Sequence, residues 1–193
     1  MKQRTWLELL AFVGLVASCA AARVALQDLP NFAPVAAVAL FAGYFFRSGV
    51  LALCVPLSAM AISDLFIGGY QWQMMLTVYA MLALPVAARG LLRSQWKFGR
   101  EATSAWRPFT GLMTCSLLAS VLFFLVTNFG CWLWFDLYEH SVSGLAHCYA
   151  QALPFFRYTL AGDLVFASAL FGGYAVAKQW LASKAAVALL SRS

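Results

Sequence analysis

The chain has 193 residues, of which 63% are hydrophobic and 10% charged, and its 13 basic residues outnumber 7 acidic ones for a formal net charge of +6. A soluble domain is about 45–50% apolar and about 25% charged, so polar surface is too scarce for a water-soluble globule, and a mean hydropathy of +0.79 points to a bilayer as the solvent. The basic residues are dispersed between apolar runs, which excludes nucleic acid as the reason for the charge and leaves membrane orientation.

A membrane-spanning helix needs about 20 mostly apolar residues. The first run covers about 6–26. Its basic start and Val16-Ala17-Ser18-Cys19 have the form of a cleavable leader. The run nevertheless continues past Cys19 to Leu26, and more spans follow, so a retained helix is expected. Gln27 to Asn31 reads as a turn, and Pro34 suits the first turn of the next helix, where a missing N–H costs little. The second run, 32–46, has an apolar part that rises only about 20 Å. It is counted as a crossing, with a buried or re-entrant segment as the other reading. Then come 49–67, with Pro56 and Asp64, and 72–92, with Pro85. A basic loop over 89–107 leads into 109–135, which carries Thr127 and Asn128. A loop over 135–157 precedes the last span, 158–181, and the tail reads as a short surface helix. The expected architecture is all-α: a single polytopic membrane domain of six transmembrane helices.

Six spans put both termini on one side. Lys2, Arg4, Arg47, Arg89, Arg93, Lys97, Arg100, Arg107, Lys178, Lys184 and Arg192 fall there, and only Arg23 and Arg157 fall opposite. By the positive-inside rule the termini are cytoplasmic and the 135–157 loop is outside.

No Walker motif, GxGxxG or CxxC occurs, and the cysteines number five, so no nucleotide site, zinc pattern or disulfide framework is expected. Cys131 and Cys148 lie toward one side and leave a bridge open. Serine, histidine and aspartate are present without a nucleophile elbow, and no enzyme activity or cofactor is expected. His140 and His147 stand two helical turns apart, too sparse for a metal site.

Asp28, Asp64, Asp136, Glu139 and Asp163 lie toward the outer side with Arg23 and Arg157. Ionisable groups at membrane depth pair with one another or line a wet cavity. Two readings follow: these groups orient a polar ligand, or Arg23 pairs with Asp64 or Asp163 to fix helix packing. Asn128 has the same two options, and Asn31 either caps the second helix or meets a ligand. Trp132, Tyr138 and Tyr149 suit either an interfacial aromatic belt or a cover over a ring-bearing solute.

Several blocks carry a family resemblance. They are Pro30-Asn31-Phe32-Ala33-Pro34-Val35-Ala36-Ala37, Ile62-Ser63-Asp64-Leu65-Phe66, Phe123 to Gly130, Cys148-Tyr149, Pro154 to Leu164, and Phe171-Gly172-Gly173. Together they resemble the DUF6580 family, a bacterial family described in terms of transport and similar to the substrate-binding S components of energy-coupling-factor (ECF) transporters. Ala33 stands where threonine is expected and Tyr158 where asparagine is. The resemblance implies an ECF S-component-like bundle in the bacterial inner membrane that captures a small vitamin-like solute from outside. It also implies a coupling subunit with ATPases, met by a small-residue face of Ala36, Ala39, Ala42 and Gly43.

The expected binding set is Arg23, Asn31, Asp64, Asn128, Arg157 and Asp163 as orienting groups. Trp132, Tyr138, Tyr149 and His147 are expected around them. The rival readings are an assembly subunit of a membrane complex and a membrane enzyme acting on a lipid or quinone.

Overall fold

The structure, a computed structural model, describes residues 2–95 and 106–190. The middle of the expected basic loop, with Lys97 and Arg100, and the last three residues lie outside that range. Seven α-helices follow in order: α1 Lys2–Ala25, α2 Val35–Phe45, α3 Gly49–Ile67, α4 Trp72–Ala83, α5 Arg89–Gln95, α6 Trp106–Trp134 and α7 Val142–Leu190. No strand occurs among the described residues. A 3-10 turn, Leu84–Ala88, holds Pro85 in its first positions and joins α4 to α5. Proline is tolerated there because its missing N–H would be unsatisfied at a helix start in any case.

Among the described residues, five stretches are long and apolar enough to cross a membrane: Thr5–Ala25, Gly49–Ile67, Trp72–Ser94, Phe109–Trp134 and Val142–Lys184. Their outer faces expose Leu10, Val13, Leu65, Phe66, Leu76, Val165 and Val176, the surface a lipid-facing bundle presents. The expected sixth span differs. α2 has 11 residues and rises about 16 Å, well under the roughly 30 Å hydrocarbon thickness.

The short helix is instead the interior of the bundle. Every residue from Val35 to Gly43 is buried, and α2 touches every other helix and the 3-10 turn. A helix that is apolar on all sides belongs in a core. Phe41 meets Phe171 edge-on at 5.3 Å and Tyr174 at 5.5 Å, and Phe46 meets Phe12 of α1 at 6.4 Å. The small-residue face of Ala36, Ala39, Ala42 and Gly43 therefore looks into this chain's own core and not toward a partner subunit. A Cβ on Gly43 would sit 3.0 Å from the carbonyl oxygen of Val86, so glycine here lets the 3-10 turn lie directly on α2.

Two arginines satisfy the carboxyl end of α2. Arg93 donates through Nε to the Tyr44 carbonyl at 3.0 Å and through Nη2 to that of Phe46. Arg89 donates to the Arg47 carbonyl. The last carbonyls of a helix lack intrahelical partners and carry the negative end of its dipole, so guanidinium forks fit there. Sequence alone offers these arginines as orientation signals, and the fold gives them this second task.

At the opposite end α1 meets α3 through Arg23 and Asp64, and α6 meets the start of α7, where the Cys148 thiol donates to the Asn128 carbonyl at 3.4 Å. The elements thus alternate in direction, with α1, α3 and α6 running toward this end. The expected 135–157 loop is mostly helix, since α7 begins at Val142 and continues through Pro154. Ser141 caps it by accepting from the Gly144 N–H at 3.1 Å. The remaining link folds so tightly that a Cβ on Gly144 would fall 2.0 Å from the Glu139 carbonyl oxygen. Pro154 lies inside α7. A spanning helix tolerates proline where neighbouring helices shield the freed carbonyl.

Replacing Gly43 with leucine should overpack the contact between α2 and the 3-10 turn and cost about 1–3 kcal/mol. Gly172→Ala, whose Cβ would enter open space, should leave stability unchanged or slightly raised. Thermal unfolding of the purified variants measures both.

Candidate ligand-binding site

A cavity of about 470 Å³ opens at the end of the bundle where α1, α3 and α6 finish. Small-molecule sites run about 300–1,000 Å³. Its walls come from regular spacing on three helices. On α6, Ala119, Phe123, Thr127 and Cys131 recur every fourth residue; on α7, Ala152, Phe156, Thr159 and Asp163 follow one face. α4 supplies Met74, Val78 and Met81. The mouth is formed by Arg23 and the segment between α1 and α2, with Gln27, Asn31 and Phe32, and by Tyr70 between α3 and α4. The floor includes Val35 and Ala36, the first turn of α2.

Arg23 is held by a polar knot. It donates to Asp64 and, at 2.5 Å, to the Ser63 hydroxyl, while Tyr79 donates from α4 to the other Asp64 oxygen at 2.6 Å. Ser63 passes its own proton toward the Ala59 carbonyl at 2.8 Å. The side chains of Arg23 and Asp64 are only 16% and 9% exposed. Both Asp64 oxygens are thus occupied, and Asp64 does not line the cavity. Of the two sequence readings, the internal ion pair describes Asp64, whereas Arg23 is both paired and at the cavity mouth. Partial burial, with the Asp64 charge second, pushes the Tyr70 phenol up to about 12, so it stays a hydrogen-bond donor at neutral pH.

Asp163 is placed differently. It is 5% exposed, lines the cavity, and accepts from the Ser120 hydroxyl at 2.6 Å. No basic side chain pairs with it among the described residues. Asn128 also lines the cavity and donates from Nδ2 to the Phe124 carbonyl at 2.7 Å. Its side-chain oxygen has no partner among the described residues. Asn31 does not cap α2: the N-cap position is Pro34, without a side-chain bond, and Asn31 takes a left-handed φ of 61°. Asparagine tolerates that conformation better than most residues, and it turns the chain into α2 with Asn31 on the cavity wall.

Arg23, Asn31, Asn128 and Asp163 are therefore brought together, and the other expected residues are not. Trp132 donates to the Glu139 carbonyl at 2.9 Å and steadies the link between α6 and α7. Tyr149 donates to the Leu125 carbonyl at 2.7 Å. Arg157 is exposed and reaches only its neighbour Tyr158, at 3.1 Å. Tyr138 and His147 meet edge-on at 5.5 Å and line a separate hollow. His140 packs on Trp132 at 5.4 Å, and no group of three metal-ligating side chains occurs among the described residues. Cys131 and Cys148 are free thiols.

A family model described as a family of unknown function, DUF6580, matches residues 3–186. The chain belongs to that family. No curated protein and no solved structure matches this DUF6580 chain. The expected site left out the α4 wall, Phe123 and Phe124, all of which line the cavity. The signal for Phe123 was present in the sequence as the four-residue spacing that places it on one helical face with Thr127.

Removing either member of the Arg23–Asp64 pair leaves a mostly buried charge alone. Arg23→Ala and Asp64→Ala should each destabilise by about 3–5 kcal/mol. The double variant should lose less than their sum, with a coupling of about 0.5–3 kcal/mol. Tyr79→Phe should cost about 1 kcal/mol. Unfolding midpoints of the four variants test the cycle.

Proposed function

We propose that this DUF6580 protein is a solute-binding membrane transport protein, a substrate-capturing component for uptake of a small vitamin-like molecule. The observation that carries the reading is the cavity. A chain with 10% charged residues has spent several polar side chains on one hollow of ligand size, walled by aromatic rings. A purely structural subunit has no need to leave the Asn128 oxygen and the Asp163 carboxylate facing empty space, because buried polar groups without partners are costly. An assembly role predicts packed helices there, so the cavity disfavours it. Nothing favours a membrane enzyme: no histidine lines the hollow among the described residues, and the Ser120 hydroxyl beside Asp163 has no histidine base to activate it.

In this reading the bundle is an ECF S-component-like fold in the bacterial inner membrane. α2, extended by the segments flanking it, completes a sixth crossing. Arg47, Arg89 and Arg93 gather at the end opposite the cavity, and the positive-inside rule supports taking that end, with both termini, as the cytoplasmic one. The solute then arrives from outside. A coupling subunit with ATPases, if it drives uptake, docks on a surface other than the α2 small-residue face, which is already filled.

Native mass spectrometry of protein purified directly from membranes should show a bound small molecule. Ala119→Trp, which fills the wall between α6 and α4, should insert normally and lose that mass. Asn128→Ala should lower its occupancy by about tenfold, the equivalent of one buried polar contact. Wild-type protein that carries no small molecule and takes up none from a cell extract would overturn the proposal, as would an Ala119→Trp variant that binds as wild type does.

A further inference from the structure

Resting on the reading of the cavity as a solute site, we infer that the solute is a cation: a ring-bearing molecule whose protonated amine or iminium group pairs with Asp163. The argument is a charge census of the hollow. Arg23 at the mouth is matched by Asp64, which already holds it and is itself closed off by Tyr79. That leaves Asp163. It is 95% removed from solvent by its 5% exposure, and its Oδ2 accepts from Ser120 at 2.6 Å. Its Oδ1 has no donor among the described residues. The first turn of α2 opens on the same hollow, and a helix amino end is worth about half a positive charge, too little to balance a full carboxylate.

A buried carboxylate stays ionised only with a counter-charge or several donors, and here the chain supplies one neutral hydroxyl, so a cationic solute is what would hold Asp163 in its charged form. The walls are suited to the missing partner. Phe123, Phe124, Phe155 and Phe156 line the same cavity as Asp163, with Phe124 and Phe156 at 4.8 Å between centroids. Phe32 closes the side toward the mouth. Ring faces attract ammonium and iminium groups, most strongly where water is excluded. A carboxylate solute meets repulsion from Asp163, and a neutral one leaves Oδ1 unsatisfied. Ser120 is a positioning residue: its bond fixes the carboxylate rotamer and leaves Oδ1 directed to the ligand.

The test uses full-length protein in lipid nanodiscs, titrated calorimetrically against empty nanodiscs with three indole probes of similar size. Tryptamine carries an ammonium, tryptophol a neutral hydroxyl, and indole-3-propionate a carboxylate. Tryptamine should bind about tenfold more tightly than tryptophol, as expected of a charge-assisted contact, and indole-3-propionate should bind most weakly. Asp163→Asn should bring tryptamine down to the tryptophol value and leave tryptophol unchanged. Ser120→Ala, which keeps the carboxylate but frees its rotamer, should weaken tryptamine binding while leaving it above tryptophol. Equal affinity of wild type for tryptamine and tryptophol overturns the inference, as does an ammonium preference that survives Asp163→Asn. The wild-type comparison decides the matter even where the variant fails to insert. Tryptophol binding without any charge preference removes the cationic assignment and leaves the transport reading standing. Failure of all three probes to bind removes the cationic assignment, while the transport reading stands or falls on the mass-spectrometric result.

Discussion

Burial of α2 is the constraint from which the rest of the structure follows. An 11-residue helix cannot cover its own apolar surface or reach across a bilayer, so the five longer stretches wrap it. Dispersion and close approach, not the hydrophobic effect, hold helices together in lipid. That makes the alanines and Gly43 of α2 decisive, since they let the 3-10 turn and the neighbouring helices come within backbone contact. Arg89 and Arg93 then close the carboxyl end of α2. Its amino end, begun at Pro34 without a side-chain cap, opens on the cavity.

Because α2 is short, the bundle is filled along only part of its length. Beyond the first turn of α2 the surrounding helices have no central partner, and the space between α4, α6 and α7 stays open. The hollow is thus a geometric consequence of one helix ending early. The chain lines it with side chains that a lipid-facing surface would not tolerate. Two carboxylates show how it manages charge there. Asp64 is fully satisfied by Arg23 and Tyr79 and ties α1, α3 and α4 together. Asp163 receives a single hydroxyl and lies against the hollow. The same residue type is structural in one place and available in the other, and the number of donors reaching it makes the difference.

The link between α6 and α7 belongs to the same design. Ser141 caps α7, Gly144 admits the Glu139 carbonyl, and Trp132 holds that carbonyl from α6. With those three contacts the connection is short and α7 starts early, so the stretch containing Ala152 and Phe156 forms a wall of regular helix and not a loop. A wall of helix holds side-chain directions better than a loop does, which is what a binding surface requires.

The amino-acid sequence by itself determined the solvent, the helical class and the location of the scarce polar groups. Hydropathy and length settle those, and they do not depend on which helix touches which. It also singled out Arg23, Asn31, Asn128 and Asp163, because an amide or charge inside an apolar run is conspicuous without any fold. Tertiary structure alone decided that the run beginning at Pro34 is a core and not a lipid-facing span, for burial is a property of neighbours. It separated Asp64 from Asp163, since pairing depends on whether Arg23 or only Ser120 comes within reach. It also moved Trp132, Tyr138, Tyr149 and Arg157 out of the site: Trp132 is engaged with the Glu139 carbonyl, Tyr138 lies in the link after α6, and α7 carries Tyr149 and Arg157 on faces other than the one that lines the hollow, none of which local sequence reveals.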